Sequence, residues 1–288
     1  MNNIIEVCGL CKKYNTFSLN NVGFSLPGGY IMGFIGPNGA GKTTTIKLIL
    51  NIINSDSGCV FLLGSENTLA QNEQIGVVMD MPLYVDEWTA VDVESALSRF
   101  HRQWDRNAFA HYLMQFGNDK KNKIKELSRG RKIKLQIAAA LSHNAKLLIL
   151  DEPTSGLDPS ARDEICDLLR MFVTNEEKGV LFSTHVTSDL EKTADYITFI
   201  MNGNIVFTGP TNNLLRKYVR VSGGLHDLTT GQRPLIIGYR DYGIGFEGMA
   251  EAASIDKLPK GILIESISMD EIIIYMNRGH GNDYISYQ

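Results

Sequence analysis

Apolar residues follow two rhythms along this chain. Short, nearly unbroken apolar runs at 30–35, 75–79, 147–150 and 179–183 predict strands buried on both faces, the pattern of a parallel sheet. Between them lie longer stretches of helical texture: 43–53, much of 87–142, the segment opened by Ser160-x-x-Asp163, and a short piece around Leu190. Thr89-x-x-Asp92 has the form of a capping box. Residues 3–7 and 22–26 read as two further strands, and Asn202-Gly203 joins strands at 196–201 and 205–207 through a hairpin turn. Strands alternating with helices predict a doubly wound α/β sheet, with a helical block inserted at about 85–142. Past Pro210 the texture changes. Residues 218–288 combine glycine-containing turns, short apolar runs and a helical stretch at 268–278, which predicts a small α+β appendage to a main domain at 1–217.

Composition narrows the functions that such a fold serves. The net charge of −4 supplies no basic field for nucleic acid. No apolar run approaches the ~20 residues of a membrane-spanning helix, and the amino terminus lacks the charged and apolar regions of a signal peptide. Any membrane span is therefore expected on another polypeptide. Cys8 and Cys11 form a C-x-x-C, but Cys59 and Cys166 stand alone, so all four are read as reduced thiols rather than a zinc site.

The strongest chemical signal is Gly36-Pro37-Asn38-Gly39-Ala40-Gly41-Lys42-Thr43-Thr44. Its glycines let backbone N–H groups turn inward on phosphates, and the helix that follows aims its positive end at the same anion. In a G-x-x-x-x-G-K-T loop the lysine, here Lys42, reaches the β- and γ-phosphates, and Thr43 presents its hydroxyl to Mg²⁺. The run Leu147-Leu148-Ile149-Leu150-Asp151-Glu152 delivers two carboxylates to the end of a buried strand. Asp151 suits Mg²⁺, and Glu152 suits the orientation or deprotonation of an attacking water.

Further motifs in the same order carry a resemblance to the ATP-binding subunits of ABC transporters. Leu127-Ser128-Arg129-Gly130-Arg131 resembles their LSGGQ signature, Ser155-Gly156-Leu157-Asp158 their D-loop, and His185 their switch histidine. Tyr14 matches the position of an aromatic ring that stacks on adenine. The resemblance covers about residues 3–217. It implies a P-loop ATPase with a RecA-like core, an antiparallel β subdomain and a helical subdomain. It also implies that ATP and Mg²⁺ are bound, and that Ser128, Gly130 and Asp158 act across a head-to-tail dimer of two copies. A separate transmembrane permease is expected as partner, with this chain on the cytoplasmic face of the membrane.

The texture is closest to exporters of drugs, lantibiotics or peptide toxins. Importers are a second reading, and soluble ABC proteins of ribosome or DNA a third. Against the third stand the single cassette and the lack of a long coiled-coil insertion. Two motifs depart from the family pattern. Arg129 and Arg131 stand where the signature has a glycine and its glutamine, and Asp80 stands where a glutamine usually follows the strand at 75–79. Asp80 is expected to reach Mg²⁺ or its water. The resemblance makes the segment 81–104 the groove for the membrane partner, with Tyr84 and Trp88 either exposed there as anchors or packed inside the helical block.

Overall fold

A computed structural model describes residues 2–66, 69–80 and 84–280. The chain divides into two compact units, Met1–Thr208 and Gly209–Gln288.

The first unit begins with β1 (Asn3–Lys13) and β2 (Ser18–Pro27), which are longer than the apolar runs alone predict. Ile5, Val7 and Leu10 point inward from β1, and the break in alternation after Val7 coincides with a register shift at Gly9, whose φ is 60°. This bulge lets one strand keep its apolar side on the core past the irregularity. After β3 (Ile31–Ile35) and α1 (Lys42–Ile49) come β4 (Ser57–Leu62) and β5 (Ser65–Glu66). Strands β1, β2, β4 and β5 form an antiparallel sheet in the order β2-β1-β4-β5. The four cysteines are free, with Cys8 and Cys59 opposite one another across β1 and β4.

The central sheet adds β6 (Ile75–Val78), β7 (Leu147–Asp151), β8 (Gly179–Thr184), β9 (Tyr196–Met201) and β10 (Asn204–Pro210) in the order β10-β9-β3-β8-β7-β6. β3 runs parallel to both β8 and β9, and β7 parallel to both β6 and β8. β3, β7 and β8 are buried at every residue, the burial that their unbroken apolar runs require. Asn202 and Gly203, both with positive φ, turn β9 into β10.

The inserted block consists of α2 (Ala90–Leu97), α3 (Arg106–Gln115) and α4 (Arg129–Leu141), capped by Thr89, Asp105 and Ser128. The Thr89–Asp92 capping box is present in full. α4 starts at Arg129, directly after its cap Ser128. The next helix, α5 (Pro159–Phe172), starts early. Asp158 caps it through the Ala161 N–H at 3.0 Å, because Pro159 needs no donor partner at the first helical position, so Ser160 lies inside the helix. α6 (Thr187–Thr193) follows β8. Residues 81–83 of the expected groove lie outside the described residues; Tyr84 and Trp88 are both half-buried.

The second unit contains α7 (Thr211–Lys217), β11 (Tyr218–Gly223), β12 (Ile237–Asp241), β13 (Phe246–Glu251), β14 (Leu263–Glu265) and α8 (Met269–His280). Its antiparallel sheet has the order β12-β13-β11-β14 around a core of Val221, Phe246 and Ala250. α8 is capped by Ser268, whose hydroxyl accepts the Glu271 N–H, and it crosses so close to Gly238 that a Cβ there would lie 2.5 Å from the Tyr275 carbonyl oxygen. No helix among the described residues is long and apolar enough to cross a membrane.

His143 is buried beside α4, stacked on His101 with ring centroids 4.0 Å apart and its Nδ1 3.0 Å from the Glu73 carbonyl oxygen. Burial, and secondly the neighbouring His101, push its pKa down to about 4. The unfolded chain, with an ordinary histidine, therefore binds more protons between pH 6.5 and 4, and stability falls as the pH drops through that window. Denaturant melts at stepped pH are expected to show a loss of about 2 kcal/mol between pH 7 and 4 from this group, absent in His143→Gln.

Candidate functional site

The site lies where the carboxyl-terminal ends of β3, β7 and β8 meet. β3 ends at Ile35, and the chain turns through Gly36–Gly41 into α1. Two glycines are required by close approach. A Cβ on Gly36 would lie 2.2 Å from the Ile200 carbonyl oxygen, and one on Gly41, at φ 114°, would meet Leu19 and Phe17 at 2.7 and 2.9 Å. Lys42 is buried, and its ammonium donates to the Gly36 carbonyl at 2.7 Å. It also lies 3.7 Å from Oε1 of Glu152. Burial pushes its pKa below the ordinary value, and the Glu152 and Asp151 carboxylates oppose that shift.

β7 carries Asp151 to the end of the sheet, where both of its oxygens are engaged. Thr43 Oγ1 donates to Oδ2 at 2.8 Å, and Ser183 Oγ donates to Oδ1 at 2.5 Å. Ser183 also holds the next residue, since its hydroxyl and its carbonyl both accept the Glu152 N–H at 3.0 Å. Glu152 itself sits at φ 53°, a left-handed conformation that costs a non-glycine residue about 1 kcal/mol or more. That backbone turn places its carboxylate between Lys42 and His185, whose Nδ1 is 2.7 Å from Oε2. The arrangement can bind a polyanion at the loop, hold a carboxylate beside it, and sense its charge through an adjacent imidazole. Thr43 and Asp151 place two hard oxygen donors side by side, which fits a Mg²⁺ that fills its other positions with water and phosphate.

The remaining residues marked in the sequence lie on other elements. Tyr14 follows β1, half-exposed, with its N–H on the Phe17 carbonyl at 2.8 Å. The Phe17 ring lies beside Gly41 of the phosphate loop. Ser128 caps α4, accepting the Arg131 N–H at 3.4 Å, and Gly130 lies in the first turn against Leu157. Asp158 caps α5. Asp80, expected at the metal, has another partner: its carboxylate pairs with Arg129. Sequence reading missed Ser183 and Phe17. A serine at the end of an apolar strand carries no signal of its own until the sheet sets it beside Asp151.

Residues 19–155 match the family described as ABC transporter. The lantibiotic transport ATP-binding protein SrtF of Streptococcus pyogenes is 32% identical over 205 residues, covering 70% of this chain and 89% of that protein. The bacitracin transport ATP-binding protein BcrA of Bacillus licheniformis is 31% identical, covering 75% of this chain and 73% of that protein. This chain is an ABC transporter ATP-binding subunit. A solved structure of an ATP binding subunit of an ABC transporter superposes with a TM-score of 0.66 at 25% identity, over 74% of this chain and 92% of that one. As an ABC ATPase the chain binds and hydrolyses ATP and powers transport.

Because Ser183 holds both Asp151 and the Glu152 backbone, its removal is expected to disturb turnover more than its size suggests. Ser183→Ala should lower kcat for ATP about tenfold or more and cost about 2 kcal/mol of stability, read by steady-state kinetics and denaturant melts. Unchanged turnover would show that Asp151 and Glu152 hold their positions without it.

Proposed function

We propose that this chain is the ATPase of an exporter for a drug, antimicrobial peptide or peptide toxin, acting on a separate membrane permease as a head-to-tail pair of identical copies. The observation that carries the export reading is the likeness, at 31–32% identity, to subunits named for lantibiotic and bacitracin transport. The identity covers most of the length of each of those proteins.

In this reading ATP lies on Gly36, Pro37, Asn38, Gly39, Ala40, Gly41, Lys42, Thr43 and Thr44, with Tyr14 stacking on the adenine. Lys42, now held by the Gly36 carbonyl and near Glu152, turns its ammonium to the β- and γ-phosphates. Thr43 and Asp151 hold Mg²⁺, which neutralises phosphate charge when bound. With Lys42 drawn to phosphate, Glu152 is released to orient the attacking water and accept its proton. His185, already hydrogen-bonded to Glu152, keeps that carboxylate aimed and contacts the γ-phosphate. Ser128, Gly130 and Asp158 complete the site of the opposing copy. Two shared nucleotides then close the pair, and hydrolysis opens it, which drives the permease.

Affinity isolation of tagged Glu152→Gln chain from gently solubilised membranes with ATP tests this directly. The expected product contains two copies of the chain and a stoichiometric polytopic membrane protein. Recovery of ribosomal or DNA-repair proteins in its place would overturn the transport assignment while leaving the ATP chemistry standing.

A further inference from the structure

The two departures from the family pattern meet in space. Asp80 lies just past the end of β6, Arg129 is the first residue of α4, and 49 positions separate them, yet their side chains form an ion pair. Both are about half exposed, 46% for Asp80 and 52% for Arg129. The arginine stem also lies over the turn before α5: a Cβ on Gly156 would sit 3.4 Å from Arg129 Cδ and 3.5 Å from Nε. The guanidinium therefore lies within van der Waals reach of the Ser155–Asp158 turn.

We propose that Arg129 is a phosphate-binding residue that acts across the pair of copies, and that Asp80 is the carboxylate that holds it until the opposing nucleotide arrives. The proposal rests on the head-to-tail pairing described above. Four observations point the same way. Arg129 directly follows Ser128, the cap of α4, so its side chain leaves the helix at the end whose dipole favours anions. The first turn of α4 holds no acidic residue and carries Arg129, Arg131 and Lys132. A guanidinium presents five donors in a planar fork that fits a carboxylate or a phosphate equally, so Asp80 and a terminal phosphate compete for the same donors. The exchange needs no rearrangement of the helix, because α4 is joined to β6 independently: the buried Gln136 side-chain oxygen accepts the Met79 N–H at 3.1 Å.

The charge balance favours exchange. An exposed ion pair is screened and shifts equilibria only a few fold. A triphosphate carries more charge than one carboxylate, and a contact closed off between two copies is screened less. ADP lacks the terminal phosphate and leaves Arg129 on Asp80. The pair therefore makes the signature end of α4 selective for triphosphate, and it frees the Asp80 carboxylate when ATP binds.

The test uses Glu152→Gln as the background, with dimer formation measured by light scattering against ATP concentration. Asp80→Asn is expected to lower the ATP needed for half-dimerisation about two- to fivefold. Arg129→Gln should raise it about tenfold or more, and Arg129→Lys, which keeps the charge without the fork, should fall between. The double variant should match Arg129→Gln alone, because Asp80 acts only through Arg129. Matched melting curves separate these effects from misfolding. If Asp80→Asn instead weakens the dimer whether or not Arg129 is present, Asp80 serves the metal and the proposal falls. Equal weakening by both single variants would reduce the pair to a structural tie, with the same consequence. Absence of any ATP-dependent dimer in the Glu152→Gln background would bring down the pairing itself, and this inference with it.

Discussion

The Asp151 carboxylate is the point on which the site is built. One oxygen takes the Thr43 hydroxyl from the first turn of α1, and the other takes the Ser183 hydroxyl from the neighbouring strand. These two bonds tie the phosphate loop to β7 and β8 at the carboxyl-terminal end of a sheet in which both strands are buried throughout. A buried carboxylate without partners would be costly, so the groups around it are held to narrow positions. The Glu152 backbone is one of them, fixed by Ser183 in a conformation that non-glycine residues rarely adopt.

A similar constraint governs the charges. Lys42 is buried and Glu152 is nearly so, and they lie 3.7 Å apart with His185 on the far side of the carboxylate. Without nucleotide the lysine is satisfied by the Gly36 carbonyl and the nearby acid. A triphosphate offers it a stronger partner and leaves Glu152 with the histidine. Ligand binding thus redistributes existing interactions instead of creating a charge in a dry pocket. The Asp80–Arg129 pair repeats this logic at the amino-terminal end of α4, with an exposed and therefore weaker bond.

Contiguous features of the molecule were legible in its sequence. The phosphate loop, the acidic strand end and His185 each combine a local residue pattern with an apolar strand, and the structure places them around one point. Features that depend on two distant segments were not. Ser183 gains its role only through the parallel pairing of β7 with β8, and Asp80 finds Arg129 only because α4 packs along β6. Local chemistry was also misjudged in places. Ser160 looked like a helix cap, but Pro159 belongs in the first turn, which moves the cap to Asp158. β4 went unread although Cys59–Leu63 is an unbroken apolar run, and its place in the sheet comes from pairing with β1.

A structure of the Glu152→Gln chain with ATP and Mg²⁺ tests the central claim, that nucleotide takes over bonds already present at the end of the sheet. The account predicts that the Lys42 ammonium leaves the Gly36 carbonyl for phosphate oxygens, that the Thr43 hydroxyl moves from Asp151 to the metal, and that Ser183 keeps both of its partners. A nucleotide bound while Lys42 stays on Gly36 and Thr43 stays on Asp151 would contradict it.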